Sequence, residues 1–232
     1  MISVLIPALN EEATIVEVVN SHISVLQIQA EYEFEVIVLN DGSTDRTKEL
    51  LNQNFSENQH VRIFENESPS GIASAFAQLV SLARGEWLYF TSADGQFPAE
   101  CLRLLSNRLS GGAELIVGDR RDRLKIYGWK RRVVSWAYRR LSQLLFFVDP
   151  VDPGSVKIIK KSSYPDGLFS KSVTRDLEII IVLLRQKRNV EFVPIPFLVR
   201  SSGIESGGSM KVVWNAFVDL LKLRFMLRGN SR

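Results

Sequence analysis

Short apolar, β-branched runs alternate with longer stretches of helical spacing through the first half of the chain. The strand-like runs are SVLIPA (3–8), FEVIVL (34–39), VRIFE (61–65), EWLYFT (86–91) and ELIVG (114–118). Helical spacing fills the intervals near 11–29, 44–54, 70–84 and 98–109. Runs apolar on both faces, joined by helices, predict an α/β fold with a central, mostly parallel sheet flanked by helices. Ser70 ahead of GIASAFAQLVSLARG predicts a helix N-cap, and Gly85 after it a stop. Beyond residue 118 the rhythm changes to the long basic and aromatic run DRRDRLKIYGWKRRVVSWAYRRLSQLLFF (119–147). SVKIIKK (155–161), a helix over 174–188, a strand VEFVPIPFLV (190–199) and a helix over 210–227 complete the pattern. This layout predicts one domain, with a nucleotide-binding half (1–118) and a second half (119–232) that completes a site and carries basic amphipathic helices.

Composition adds limits. A chain of 232 residues with 45% hydrophobic and 24% charged residues is an ordinary globular mixture able to bury a core. Its one cysteine, Cys101, excludes an internal disulfide framework and suits a reducing compartment; beside Leu102 and Leu105 it reads as a core residue. The net charge of +3 is modest, but nine Lys or Arg fall between 120 and 140 against one acid, Asp122. The start MISVLIPALNEE lacks a basic leader, and no run reaches the ~18 apolar residues of a membrane span, so a soluble or peripheral protein is expected. His22 and His60 are isolated, which argues against a histidine metal site and a Ser-His-Asp triad. The Asn-x-Ser triplets at Asn54 and Asn66 carry no expectation without a secretory route.

Candidate chemistry lies at the strand ends. In an open α/β sheet ligands bind beyond the carboxyl ends of the strands, where the strand order reverses. Three such ends are polar: PALNEE, NDGSTD and SADGQ. Neither a Gly-x-Gly-x-x-Gly fingerprint nor a Gly-Lys-Ser/Thr loop is present, so hydride transfer and P-loop hydrolysis fall away. Acids and amides suit phosphate groups only when a divalent cation bridges them. Mg2+ or Mn2+ takes oxygen ligands and shares itself between one or two protein groups and a diphosphate. Asp94 with the amide oxygen of Gln96 fits that role; the competing reading of YFTSADGQFP (89–98) is a plain turn.

The motifs VLIPALNEE, VLNDGSTDRT, ARGEWLYFTSADGQFP and IVGDRRDR, in this order and spacing, resemble family 2 glycosyltransferases with the GT-A fold. RRVVS (131–135), DPGSVKIIKK (152–161), TRDLEI (174–179) and RSSG (200–203) are similar to the second half of the dolichyl- and polyprenyl-phosphate sugar transferases within it. The resemblance implies a GT-A, Rossmann-like sandwich. It implies inverting transfer of a sugar from GDP-mannose or a UDP-hexose to a polyprenyl or dolichyl phosphate, on the cytoplasmic face of a membrane. It places Pro7, Asn10, Glu11, Asp41, Ala93 and Asp94 at the nucleotide-sugar, and Asp94 and Gln96 at Mg2+ or Mn2+. It places Arg120, Arg131 and Ser135 at the acceptor phosphate, Arg200 near a phosphate of donor or acceptor, and Lys211 near the acceptor. Two departures stand out: Ser92 and Asn40 each replace an aspartate usual in the family. Asp41, Ser43 and Asp45 also read as a turn with a helix cap.

A phosphate acceptor is already anionic and needs cations rather than a base. A sugar-hydroxyl acceptor, the alternative, needs a carboxylate base; Asp152, Asp176 and Glu178 are the candidates. The basic run with Trp129, Trp136 and Tyr138 also permits a nucleic-acid-binding module, which the ordered acidic motifs disfavour. The stretch KVVWNAFVDLLKLRFMLRG (211–229) reads either as a helix packed on its own domain or as one lying in the headgroups of an anionic membrane.

Overall fold

A computed structural model describes residues 1–120, 129–149, 151–170, 174–198 and 210–229; of Lys130, Arg131, 210–216, 228 and 229 it describes the backbone alone. Seven strands form one sheet: β1 (Ile2–Ala8), β2 (Phe34–Asp41), β3 (Val61–Asn66), β4 (Trp87–Phe90), β5 (Leu115–Asp119), β6 (Lys157–Lys160) and β7 (Val190–Pro194). Their order is β3-β2-β1-β4-β6-β5-β7. β1 pairs in parallel with β2 and β4, and β2 with β3. β6 inserts antiparallel between β4 and β5, so the second half of the chain completes the sheet that the first begins.

Helices α1 (Ile15–Gln29), α2 (Thr47–Phe55) and α4 (Glu100–Ser106) cover one face, packing Ile15, Val19, Leu26, Leu51, Phe55, Cys101 and Leu102 against Val4, Ile6, Val36, Val38 and Tyr89. Helices α3 (Ile72–Leu82) and α6 (Thr174–Arg185) cover the other, setting Ala75, Leu79, Ile179, Ile180 and Leu183 against Leu5, Ile37, Leu39, Leu88 and Phe90. Burial on both faces explains why Val4–Ile6, Val36–Leu39 and Trp87–Phe90 are unbroken apolar runs. A third cluster joins α5 (Trp129–Phe146), α6 and α7 (Met210–Gly229) through Phe146, Leu177, Ile181, Leu220 and Leu223.

Three local expectations need correction. The helix expected to open at Ser70 starts at Ile72, because the Ser70 hydroxyl and the Ser70 and Gly71 N–H groups all donate to Asp41 at the end of β2. Gly71 stands at the N-cap position, with no side-chain cap bond. That helix also ends at Leu82, before Gly85. Gly85 instead lacks a Cβ because the Ser3 amide and hydroxyl lie 2.7 Å from where one would stand. The last strand stops at Pro194 rather than 199: Pro194 and Pro196 have no N–H to give a ladder.

β1 and β4 are adjacent, yet the chain reaches β4 only after winding outward through β2 and β3. The crevice past their carboxyl ends is the topological switch point. Leu5 turns its carbonyl toward β4, accepting from the Thr91 amide at 3.3 Å. Pro7, two residues on, faces the same side beyond the end of β4, so its missing N–H forfeits no ladder bond.

Candidate active site

Loops after β1, β2 and β4 wall the crevice. The first two are stitched to each other. Asn10, in the left-handed region at φ 56°, donates its N–H to Ser43 Oγ at 3.0 Å and accepts the Thr44 N–H on Oδ1 at 2.8 Å. The Glu11 N–H donates to Thr47 Oγ1 at 2.9 Å, and the Glu12 N–H to Asp45 Oδ2 at 3.1 Å. Asp45 also accepts the Thr47 N–H at 3.0 Å and so caps the start of α2. The turn-and-cap reading of Ser43 to Asp45 describes this loop.

Asp41 is buried and works as a hub. Its Oδ1 accepts from Asn66 Nδ2 at 2.7 Å, the Ser70 N–H at 2.9 Å and the Ser70 hydroxyl at 2.8 Å; Oδ2 accepts the Gly71 N–H at 3.1 Å. Burial pushes its pKa up, but these donors outweigh it and hold the carboxyl below its usual range. Asp41 fixes the loop leading into α3, and through it one wall of the crevice. The neighbouring Asn40, also buried, accepts the Ser43 N–H at 3.2 Å.

Asp94 stands in the loop after β4. Its Oδ1 accepts the Ser92 hydroxyl at 2.6 Å and the Gln96 N–H at 3.1 Å. Among the described residues, neither Oδ2 of Asp94 nor the side-chain amide of Gln96 has a hydrogen-bond partner. The loop is moored to α1 by the Thr14 hydroxyl, which donates to the carbonyl of buried Ala93 at 2.7 Å. One carboxylate oriented through its inner oxygen, with an amide oxygen two residues on, fits a hard divalent cation that keeps waters and phosphate oxygens as its other ligands. Among the described residues no cluster of three acidic, His or Cys side chains forms, so any cation here would lean on substrate for the rest of its shell.

The remaining candidates divide. Arg120, just past β5, grips Asp152 with two parallel bonds, Nε to Oδ2 at 2.7 Å and Nη2 to Oδ1 at 2.8 Å. A carboxylate so held is not poised as a base. Glu178 on α6 is buried, and its carboxylate accepts the Phe169 and Ser170 N–H groups at 2.9 and 2.8 Å, anchoring the loop ahead of that helix. Asp176, in the first turn of α6, pairs with Lys157 at 3.0 Å. Ser135 is half-buried on α5. Arg131 and Lys211 lie on α5 and α7 with side chains outside the described residues, and Arg200 lies outside them altogether.

Lys157 itself is absent from the sequence expectations. It opens β6 beside Phe90 at the end of β4, with its ammonium 5.8 Å above the Phe90 ring. The signal was available: period-2 alternation in SVKIIKK sets Lys157 on the same face as Ile159, which is core.

The chain matches the family model described as "Glycosyl transferase family 2" over residues 3–168. The chain belongs to glycosyl transferase family 2. Its fold is of the GT-A type, and it is a glycosyltransferase domain. The dolichol-phosphate mannosyltransferase of Mycosarcoma maydis is 26% identical over 96% of this chain and 80% of its own length. That of Pyrococcus furiosus is 24% identical over 95% of this chain but only 62% of itself, and the uncharacterized glycosyltransferase YkcC of Bacillus subtilis 26% identical over 68% and 49%. The chain thus spans about half to four-fifths of these curated relatives. Among solved structures, glucosyl-3-phosphoglycerate synthase from Mycobacterium tuberculosis, in complex with Mn2+, UDP and phosphoglyceric acid, superposes with a TM-score of 0.76 at 22% identity, covering 97% of this chain and 78% of that one. The same enzyme with Mg2+ and UDP gives 0.70 at 20% identity.

Proposed function

We propose that this glycosyltransferase moves a sugar from a nucleoside-diphosphate sugar, GDP-mannose or a UDP-hexose, to the phosphate of a polyprenyl or dolichyl lipid at a membrane surface. The observation that carries the choice of acceptor is the fate of the candidate bases. Asp152, Asp176 and Glu178 are all engaged, by Arg120, by Lys157 and by two backbone N–H groups. A hydroxyl acceptor would have to surrender its proton to a carboxylate. A phosphate oxygen is anionic beforehand and needs only to be held in line. The two mannosyltransferase relatives, aligned over nearly all of this chain, point to the same acceptor class.

In the reaction a phosphate oxygen of the acceptor forms the new bond to the anomeric carbon as the bond to the nucleoside diphosphate breaks, inverting the centre. The electron pair of the broken bond leaves on the diphosphate. Mg2+ or Mn2+ held by Asp94 and Gln96 would supply Lewis-acid neutralisation of that charge. The stitched loops of Asn10, Glu11 and Asp41 shape the donor wall, while Ser92 and the Gln96 N–H keep Asp94 from turning away. Arg131 and Ser135, four apart and therefore on one face of α5, are assigned to the acceptor phosphate.

The test incubates the protein with labelled GDP-mannose or UDP-glucose, polyprenyl phosphate in detergent and Mn2+ or Mg2+. Label is expected in the lipid fraction, chelator-sensitive. Transfer to a soluble hydroxyl acceptor, with none to the lipid phosphate, overturns the acceptor assignment.

A further inference from the structure

Arg120 sits where four segments of the chain meet. Its backbone N–H and its side chain both turn onto Asp152: N to Oδ2 at 3.2 Å, Nε to Oδ2 at 2.7 Å and Nη2 to Oδ1 at 2.8 Å. The pair is deep, with side-chain exposures of 11% and 4%. The guanidinium centre lies 5.4 Å from the Phe97 ring and 4.7 Å from the Phe197 ring, which stand 5.3 Å apart. Phe97 directly follows Gln96. The residue after Phe197, Leu198, donates its N–H to the Gln96 carbonyl at 2.9 Å. The segment of Phe197 is in turn bound to β5, the Ile195 N–H donating to the Asp119 carbonyl at 3.1 Å.

We infer that the Arg120–Asp152 pair is a positioning latch: through Phe97, Phe197 and the Gln96–Leu198 bond it fixes the loop that carries Asp94 and Gln96. This rests on the reading of that loop as the metal-binding loop. It assigns Arg120 to the donor side, in place of the acceptor-phosphate role that sequence resemblance suggests. A desolvated guanidinium stacked on two rings is oriented by the two parallel bonds to its carboxylate, and removing either member of so buried a pair takes away both bonds and part of the charge compensation. Phe97 and Phe197 then lose the plane they rest on, and the bond that closes the loop loses its support.

The isosteric Asp152→Asn separates latch from clamp. In a phosphate clamp Asp152 competes with the acceptor for Arg120, so Asp152→Asn leaves the acceptor KM unchanged or lowers it. In a latch Asp152→Asn reproduces Arg120→Met. Two readouts decide, each on the full chain. The first is amide hydrogen exchange at Gln96 and Leu198 in metal-free protein, referenced to core amides of β1 and β2. The second is the Kd for UDP and GDP with Mn2+ by calorimetry. Asp152→Asn and Arg120→Met are each expected to speed exchange at both amides at least tenfold and to weaken Mn2+-dependent nucleotide binding at least tenfold. The double variant should be no worse than either single one, and Arg120→Lys intermediate. Should Arg120→Met not fold, Asp152→Asn and Arg120→Lys carry the test. A rise in acceptor KM alone, with loop exchange and nucleotide binding as in the wild type, overturns the latch. Failure of the wild type to bind Mn2+ with either nucleotide would instead overturn the metal reading, while the exchange measurement still judges the latch.

Discussion

At the residue scale, Asp94 and His22 show opposite uses of a polar group. Among the described residues Asp94 leaves one oxygen uncommitted at the crevice; His22 is sealed in the core. Asp94→Asn keeps an acceptor for the Ser92 hydroxyl and the Gln96 N–H, so stability should move by no more than about 0.5 kcal/mol. Calorimetry should nevertheless show loss of Mn2+-dependent nucleotide binding, since an amide cannot replace an anionic ligand; full binding by the variant would remove Asp94 from the metal site. Burial lowers the pKa of His22 from 6.5 to about 4, against the opposing pull of the Val18 carbonyl that Nδ1 meets at 2.7 Å. The folded protein therefore binds fewer protons here than the unfolded chain between those values. The stability this contributes is complete above pH 6.5 and is lost as pH falls toward 4, about 3 kcal/mol in all. Nε2 has no partner among the described residues, so His22→Leu should be tolerated near neutrality. Urea unfolding at pH 7 and pH 4 should show the wild type losing about 3 kcal/mol more than the variant; parallel losses would mean that His22 is hydrated or protonated in place.

At the element scale, what was legible in the sequence follows from how local each signal is. Strands β1, β2 and β4 were readable because burial on both faces writes an apolar run through the middle of each, Val4–Ile6, Val36–Leu39 and Trp87–Phe90. The insertion of β6 against the direction of its neighbours was not, because strand pairing is set by contacts distant in sequence. For the same reason Ser70 looked like a cap when Asp41 ties it into the loop ahead of the helix, and Asp152 looked like a free acid when Arg120 holds it. The acidic loop was legible as chemistry, while the packing of Phe97 against Phe197, a hundred residues on in the chain, was not, because only the fold brings the two rings together. Two substitutions test these element contacts. Gly42 has φ +74°, and a Cβ there would stand 2.6 Å from the Ser68 carbonyl carbon and 2.7 Å from the Pro69 nitrogen, both backbone. Left-handed backbone alone costs an alanine about 1–2 kcal/mol. Gly42→Ala should therefore destabilise by at least about 2 kcal/mol and loosen nucleotide binding as the loop on Asp41 shifts; a melting point within a degree of wild type would show that the loop gives freely. Lys157 is 3% exposed and Asp176 25%. A fully buried pair broken on one side loses about 3–5 kcal/mol, and the partial exposure of Asp176 lowers the expectation for Lys157→Met to about 2 kcal/mol. Lys157→Met with Asp176→Asn should recover part of that loss in denaturant unfolding, and no recovery would mean that the ammonium is held mainly by Phe90.

At the scale of the whole molecule, the second half presents a surface that the sheet does not use. On α5 the inward positions Tyr138, Leu141, Leu145 and Phe146 build the third core cluster. The opposite stripe, Trp129, Val133, Trp136, Arg140 and Leu144, recurs every three or four residues and is exposed, and Phe147, just past the helix end, extends it; Trp129 is exposed by 71% and Phe147 by 78%. α7 divides the same way: Leu220 and Leu223 are buried, while Phe217, Leu221 and Phe225 face outward. The buried side is that of a helix packed on its own domain, and the outward side is the one a membrane-surface helix would need. Arg224 lies 5.5 Å over the Phe147 ring, joining the two outward stripes, and Lys222 is exposed beside them. Among the described residues no helix is long and apolar enough to cross a membrane. Apolar stripes edged with cations suit a helix lying in the headgroup layer, where buried apolar area and attraction to anionic lipid add. A lipid-phosphate acceptor makes that placement useful, since the reacting phosphate stays at the bilayer surface while its tail stays within. The protein should float with anionic vesicles at low salt and with neutral vesicles much less. Raising ionic strength should weaken the anionic part, because the Debye length shrinks to about 8 Å at 0.15 M. Trp136→Ser with Phe147→Ser should weaken binding by about 3 kcal/mol, roughly a hundredfold, from the area two aromatic side chains bury. Turnover of a short, detergent-soluble prenyl phosphate should be unchanged in that variant, because a stripe that only docks the protein on a bilayer would take no part in bond formation. Absence of vesicle binding by the wild type at low salt would mean that these stripes meet something other than a bilayer.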